Sequence, residues 1–495
     1  MHPTARAGLS ALITVAAAAG ACATMWWISV AAGGGYGTAV LATVVALTLS
    51  RRTFASRAEF ARSSALLPAI GLVAAGVGWL LVAVPPVGAA AFVAGMSVPI
   101  WMRRFGDRVA RLGALLTLPF TAILVAPGAV VQTGRWWLDL LLLVGASVVA
   151  IVWVAMAREV GVLAGVVTAP DALVAPAAPA AQDAPAPPAT QAPPARQAAP
   201  ARMPRRRLPA STRMALQMAV ALAAAFVAGW LLFPDHAMWT VLTAFIVCSG
   251  NRGRGDVLYK SALRVAGALA GTAAAVALSF VVEPTGLFAV VVIFVALFAG
   301  TWLRTYSYAF WALAVTLAVA LLQGLLGVTP TGASLGAVLG ERILAIVTGA
   351  VLGIAASWFV LPVRSEDVAR KRFSEMLVAL GAVLSPGDPA LPVAMRVAAF
   401  RASIGRVEQL APAHRAHRMV ARKRPARVID CIEAARELPA ALDARLASRS
   451  TGPADPEAAT RLRVAIGQAR RSLAAPTDFA VVHAALLTLS AELRG

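Results

Sequence analysis

AMWTVLTAFIVCSGNRGRGDVLYKSALRVAGALAGTAAAVALSFVVEPTG, running from Ala237 to Gly286, reads as two apolar runs separated by a short polar loop. The first run, with its flank, predicts a helix over 236–250, and the second predicts one over 261–282. Arg252, Arg254 and Lys260 lie between them, whereas Glu283-Pro284-Thr285-Gly286 closes the second run without a basic residue. Apolar runs of spanning length, joined by loops that alternate in Lys/Arg content, mark a polytopic membrane protein with a fixed orientation.

The same alternation extends in both directions. The second half predicts helices over 212–233, 236–250, 261–282, 286–303, 307–327 and 340–361. The first half predicts 8–31, 35–50, 64–84, 87–102, 111–131 and 136–157. Arg51, Arg52, Arg57 and Arg62 share one side with Arg103, Arg104, Arg108, Arg111 and Arg304. On the other side lie Gly33-Gly34-Gly35, Pro85-Pro86 and Val328-Thr329-Pro330, which carry no charge. The basic side is also that of the central linker and the tail, so both termini are expected in the cytoplasm. Six crossings per half keep the halves in one sense, as parallel repeats about an axis along the membrane normal. Local matches support a duplication. Tyr36-Gly37-Thr38-Ala39-Val40-Leu41 corresponds to Met238-Trp239-Thr240-Val241-Leu242, and Trp101-Met102-Arg103 to Trp302-Leu303-Arg304, both offset by about 200 residues.

The expected fold is therefore an all-α polytopic membrane protein of about twelve transmembrane helices in two parallel six-helix repeats, 1–167 and 211–363. An Ala/Pro-rich cytoplasmic linker over 168–210 joins them, with Arg202 and Arg205-Arg206-Arg207 near its end; such a run cannot bury a core. Arg6, the run after it and Ala19-Gly20-Ala21-Cys22 imitate a signal peptide, but hydrophobicity resumes through Trp26, Trp27 and Val30, so the segment is expected to stay as the first helix. After Pro362 hydropathy drops. Helical periodicity over 366–384, 391–411, 426–447, 457–474 and 477–493 predicts an α-helical cytoplasmic domain over 364–495. Its most basic stretch, His414, Arg415, His417, Arg418, Arg422, Lys423 and Arg424, reads as a solvated face or a lipid-head contact.

Composition narrows the function. An apolar content of 59% and a mean hydropathy of +0.76 lie outside the range of soluble domains. The net charge of +21 sits at the ends of apolar runs, as topology signals do, so nucleic acid is not an expected partner. Cys22, Cys248 and Cys431 have no CxxC spacing, which argues against a disulfide framework or a zinc site. No Walker A sequence, nucleophile elbow, HExxH or Rossmann fingerprint is present, so neither an enzyme nor a cofactor is expected.

One stretch is distinctive: Phe233-Pro234-Asp235-His236-Ala237-Met238-Trp239-Thr240, then Asn251-Arg252-Gly253-Arg254-Gly255, then Arg264-Val265-Ala266-Gly267 and Gly271. It resembles the fusaric acid resistance protein-like family of bacterial inner-membrane proteins. The later run Glu341-Arg342-Ile343, Gly349, Gly353 and Leu361-Pro362 is similar to the family's last helix. The resemblance covers roughly 212–362, with the first half a degenerate copy; Ala268 stands where the family often has Thr, and the first half lacks a counterpart of Glu341-Arg342. Plant aluminium-activated malate transporters are similar at a distance, with two six-helix units paired into one pore. The resemblance implies a multi-pass bacterial plasma membrane exporter or channel for organic anions, typically aromatic carboxylic acids. Its partners would be the lipid bilayer, a small organic anion and, where copies associate, a homo-oligomeric neighbour.

The residues themselves agree with that expectation. Ionisable groups inside a membrane are costly and invite a functional reading. A guanidinium matches a carboxylate in bidentate fashion, so Arg264, Arg342 and Arg304 are the candidate pathway cations. Arg264 is expected near the cytoplasmic end of its helix, where snorkelling is the bland alternative. Glu341 and Arg342 point about 100° apart, so one of them faces the interior. Trp239 would stack on an aromatic cargo or anchor the interface. Asp235 and His236, at the outer mouth, would couple transport to protons or form an ordinary turn. Gln217 and Gln323 would bond helix to helix. Two rivals stand beside this reading: a major facilitator-type transporter, whose loop signature Gly106-Asp107-Arg108 imitates after the wrong helix, and a membrane-anchored scaffold without transport.

Overall fold

The computed structural model describes residues 3–52, 54, 56–106, 109–110, 113, 117, 120, 123, 133–165, 208–249, 254–281, 286–325, 335–361, 365–384, 392–420, 427–451, 456–474 and 477–494. The expected helix over 111–131 and the expected linker over 168–210 lie mostly outside them. Every regular element among the described residues is helical.

The first half contributes α1 (Pro3–Ala31), α2 (Gly37–Leu49), α3 (Arg57–Ser64), α4 (Leu67–Ala83), α5 (Pro85–Met102) and α6 (Trp136–Leu163). The second contributes α7 (Ala210–Leu232), α8 (Ala237–Cys248), α9 (Arg254–Val281), α10 (Gly286–Leu303), α11 (Tyr308–Leu325) and α12 (Leu335–Phe359). Among the described residues, 9 helices are long and apolar enough to cross a bilayer. Large apolar side chains such as Val82, Leu141, Leu231, Val291 and Phe359 stay exposed along them, as a lipid-facing surface requires. This is a multi-pass membrane protein.

Two helices expected to span do not reach spanning length. Runs 35–50 and 236–250 yield helices of 13 and 12 residues, about 20 and 18 Å long against a hydrocarbon core of about 30 Å. Backbone turns cut them short: Gly33, at φ +72°, precedes the first, and a 3₁₀ turn at Pro234–His236 precedes the second. Both are largely buried, wedged between the helices that open and close their own half. α2 packs on α1 and α6, and α8 on α7 and α12.

Small residues press the second half together. A Cβ added to Gly267 would come within 2.5 Å of the Ala309 carbonyl oxygen, and one on Gly271 within 2.5 Å of that of Leu313. These two glycines, four apart on α9, let its backbone lie directly on α11. Gly349 does the same for α12 against Thr240 and Thr243 of α8. At the end of α12 the Gln217 amide donates to the carbonyl of Val360 at 2.9 Å and, more weakly, to those of Ser357 and Leu361, satisfying a helix terminus from α7.

Two seams join the halves. α5 packs on α7, with Phe92 edge-on to Phe226 at 5.7 Å. α1 packs on α10, where Gly8 lies against the Trp302 ring.

Beyond the membrane helices, α13 (Ser365–Leu384), α14 (Val393–Glu408), α15 (Ala411–Val420), α16 (Val428–Ala435), α17 (Leu438–Thr451), α18 (Pro456–Ser472) and α19 (Phe479–Arg494) enclose a core of their own around Phe373, Phe400, Ile432, Leu442 and Leu486. The run expected over 426–447 is two helices, α16 and α17. His414, Arg415, His417 and Arg418 of the basic stretch fall on α15, which packs on α9, with the side chains from 416 to 420 outside the description; Arg422, Lys423 and Arg424 lie outside the described residues.

Candidate functional site: two buried arginines beside one helix

Arg264 is 1% exposed, the largest of the fully buried side chains. It sits about 15 Å from the start of α9, far enough inside that its guanidinium turns inward onto α11 instead of snorkelling. There Nη1 donates at 3.5 Å to the Ala312 carbonyl and to Thr316 Oγ1, both long contacts, while Nε and Nη2 find no protein acceptor among the described residues.

Arg342, on α12, is 5% exposed. Its guanidinium carbon lies 4.0 Å from the centroid of the Trp239 ring, and Nη2 donates to Gln323 Oε1. Nε again has no acceptor among the described residues. Arg264 is near enough for its charge to act on Arg342. Ala312, Thr316 and Gln323 form one stripe of α11, so that helix holds two cations at successive depths, about 10 Å apart along its axis.

No acidic side chain pairs with either arginine among the described residues. Glu341, one position before Arg342, leaves the interior and stands 3.4 Å from His236 Nδ1 through Oε2. His236 is buried; Asp235 belongs to the same 3₁₀ turn, with its side chain outside the description. Arg304 is exposed just beyond α10 on the arginine-rich side and does not join this pair.

Gln323, expected to bond helix to helix, does so as the acceptor for Arg342. Other participants were not singled out from the sequence: Thr316 lies seven residues before Gln323 on α11, a spacing that a search for polar residues on one helical face would find. Thr240 and Thr243, fully buried on α8, keep hydroxyls without partners among the described residues. The pattern Gly267-x-x-x-Gly271 beside Arg264, repeated as Gly349-x-x-x-Gly353 after Arg342, signals the close packing that buries both. Among the described residues no group of three His, Cys, Asp or Glu side chains is placed to hold a metal.

Chemically, the site offers positive charge, edge-on N–H donors, hydroxyls and one aromatic face. That set suits an oxyanion, which accepts from N–H and O–H donors and is attracted to positive charge. No curated protein and no solved structure matches the chain. Residues 220–356, from the middle of α7 to near the end of α12, do match a family model, and the chain thus carries a fusaric acid resistance protein-like domain in its second membrane half.

Proposed function

We propose that this protein is an efflux transporter of the bacterial inner membrane for organic anions, aromatic carboxylic acids in particular. The carrying observation is the pair Arg264 and Arg342: two guanidiniums inside the membrane-spanning bundle, without acidic partners among the described residues. Burying an ion costs several kcal/mol after relaxation. At an effective dielectric of about 20, two like charges about 10 Å apart add about 1.7 kcal/mol of repulsion. A passing carboxylate offsets both costs, and a guanidinium holds it through paired N–H bonds.

The paired short helices support the same reading. Short apolar segments at corresponding positions of two membrane halves point to a solute site near the midplane. α2 and α8 are such a pair, and α8 carries Trp239 beneath Arg342. The helix contacts also favour a 6+6 arrangement in one sense. The first helix of each half packs on the fourth membrane helix of the other, α1 on α10 and α7 on α5, as a two-fold relation between the halves requires; the loop charges put that axis along the membrane normal in this reading. In this reading the arginine-rich side is cytoplasmic, with both termini there. The match to a family described as fusaric acid resistance protein-like supports the outward direction, since expelling a toxic acid confers resistance.

The test is efflux of radiolabelled benzoate from proteoliposomes loaded with it. Arg264→Gln and Arg342→Gln each lower the rate at least tenfold while gel filtration of the purified protein stays monodisperse. Unchanged flux in both variants overturns the site; absence of flux for every aromatic acid tried overturns the function.

A further inference from the structure

The arginine-rich side carries a second cationic constellation, assembled from both halves. Arg51, just after α2, reaches the second half and donates from Nη2 to Thr301 Oγ1 at 3.2 Å. Its guanidinium carbon sits over the Trp311 ring, 3.7 Å from the centroid. Arg304, exposed at the end of α10, is close enough that its charge acts on Arg51. Among the described residues neither arginine has an acidic partner, and Arg51 Nε is buried without an acceptor.

We infer that Arg51 and Arg304 form an oxyanion site at the seam between the halves. The geometry is specific about how the anion is held. Trp311 lies against the Arg51 guanidinium without taking a hydrogen bond and Thr301 takes one Nη2–H, so Nε and Nη1 remain as donors. A planar carboxylate or a phosphate oxygen pair fits that edge. Arg304 adds a second positive charge from the solvent side and leaves the site open to entry. Without an anion the constellation is unfavourable: burial first, and then the charge of Arg304, bring the Arg51 pKa down to about 9. Tyr308, at the first position of α11, lies within electrostatic reach of both Arg304 and Arg264, so it stands between the seam and the buried pair.

Two sources supply this chemistry: a carboxylate cargo on its way to Arg264, which rests on the proposed function, or the phosphate of an anionic lipid, which does not. The full-length chain with Arg264→Gln and Arg342→Gln, so that the inner pair is silent, is titrated with radiolabelled benzoate in equilibrium dialysis. Separately, it is purified from phosphatidylglycerol-containing nanodiscs and assayed for retained lipid by native mass spectrometry. Adding Arg51→Gln, or Arg304→Gln at the exposed position where folding is not at stake, weakens one of the two probes about tenfold. Loss of benzoate identifies the site as a cargo station. Loss of phosphatidylglycerol alone identifies a lipid-headgroup site, a result that stands even if no acid is ever transported. Benzoate and lipid binding both unaffected by both substitutions overturns the inference.

Discussion

The guanidinium carbon of Arg342 sits over the Trp239 ring, 4.0 Å from its centroid, so an α8 aromatic face supports a cation carried by α12. Such a contact contributes about 0.5–2 kcal/mol when desolvated. Trp239→Leu removes the face and keeps an apolar side chain, whereas Trp239→Phe keeps a weaker face. Leucine is therefore expected to lower the midpoint of heat-induced aggregation clearly and phenylalanine only slightly, read by fluorescence-detected gel filtration. Equal effects of the two would show that the ring acts by volume alone.

Gly267 and Gly271 set the distance between α9 and α11. A Cβ at either meets a backbone carbonyl that cannot swing aside. Gly267→Ala and Gly271→Ala should each cost about 1–3 kcal/mol, as overpacking does. Gly324→Ala, where nothing lies within 4 Å, is the control and should leave the protein at least as stable. The yield of monodisperse protein after a temperature ramp separates the three. Indistinguishable yields would mean that the two helices can part without loss.

Much of this architecture is legible in the chain because lipid allows few solutions. The runs 286–303 and 307–327 appear almost residue for residue as α10 and α11. The short helices are legible in place but not in length: the runs 35–50 and 236–250 are found, but hydropathy does not register that helical hydrogen bonding covers only Gly37–Leu49 and Ala237–Cys248, too few residues to span. Among site residues, the 100° turn between Glu341 and Arg342 correctly separates an outward from an inward group, yet no local rule identifies which is inward. Tertiary packing decides it, through Trp239 and Gln323 on other helices. Arg51 fails for the opposite reason. Its position in a basic loop explains it fully as a topology signal, and only the seam with α11 reveals Trp311 under it.

Cys431 offers a readout of the C-terminal core. Its thiol donates to the Phe479 carbonyl at 3.3 Å between α16 and α19, and burial, with Asp430 beside it, pushes its pKa up to about 12. The sign is direct: below that pH the group is the unreactive thiol, so alkaline buffer up to pH 9 should not expose it. Maleimide labelling of a Cys22→Ser, Cys248→Ser background is expected to be negligible in native micelles at pH 7 and 9 and complete in dodecyl sulfate. Rapid native labelling would mean that α16 and α19 part readily.

The sharpest separation of a transport role from a structural one comes from replacing the buried cations with Met, which is similar in length and carries no charge. If Arg264 and Arg342 are there to meet an anion, each is an uncompensated cost in the resting protein. Deleting the charge while keeping the volume should then be neutral or stabilising, on the scale of about 1–4 kcal/mol seen when buried ionic groups give way to packed apolar ones. Arg342→Met leaves Gln323 with a lost donor, so Arg342→Met with Gln323→Leu is the cleaner variant, and Arg264→Met stands alone. The expected outcome is a pair of proteins that withstand heating as well as the parent, or better, and carry benzoate at less than a tenth of its rate. A structural keystone would behave oppositely: removing one member of a buried network costs about 3–5 kcal/mol, and flux would fall only in step with the folded fraction.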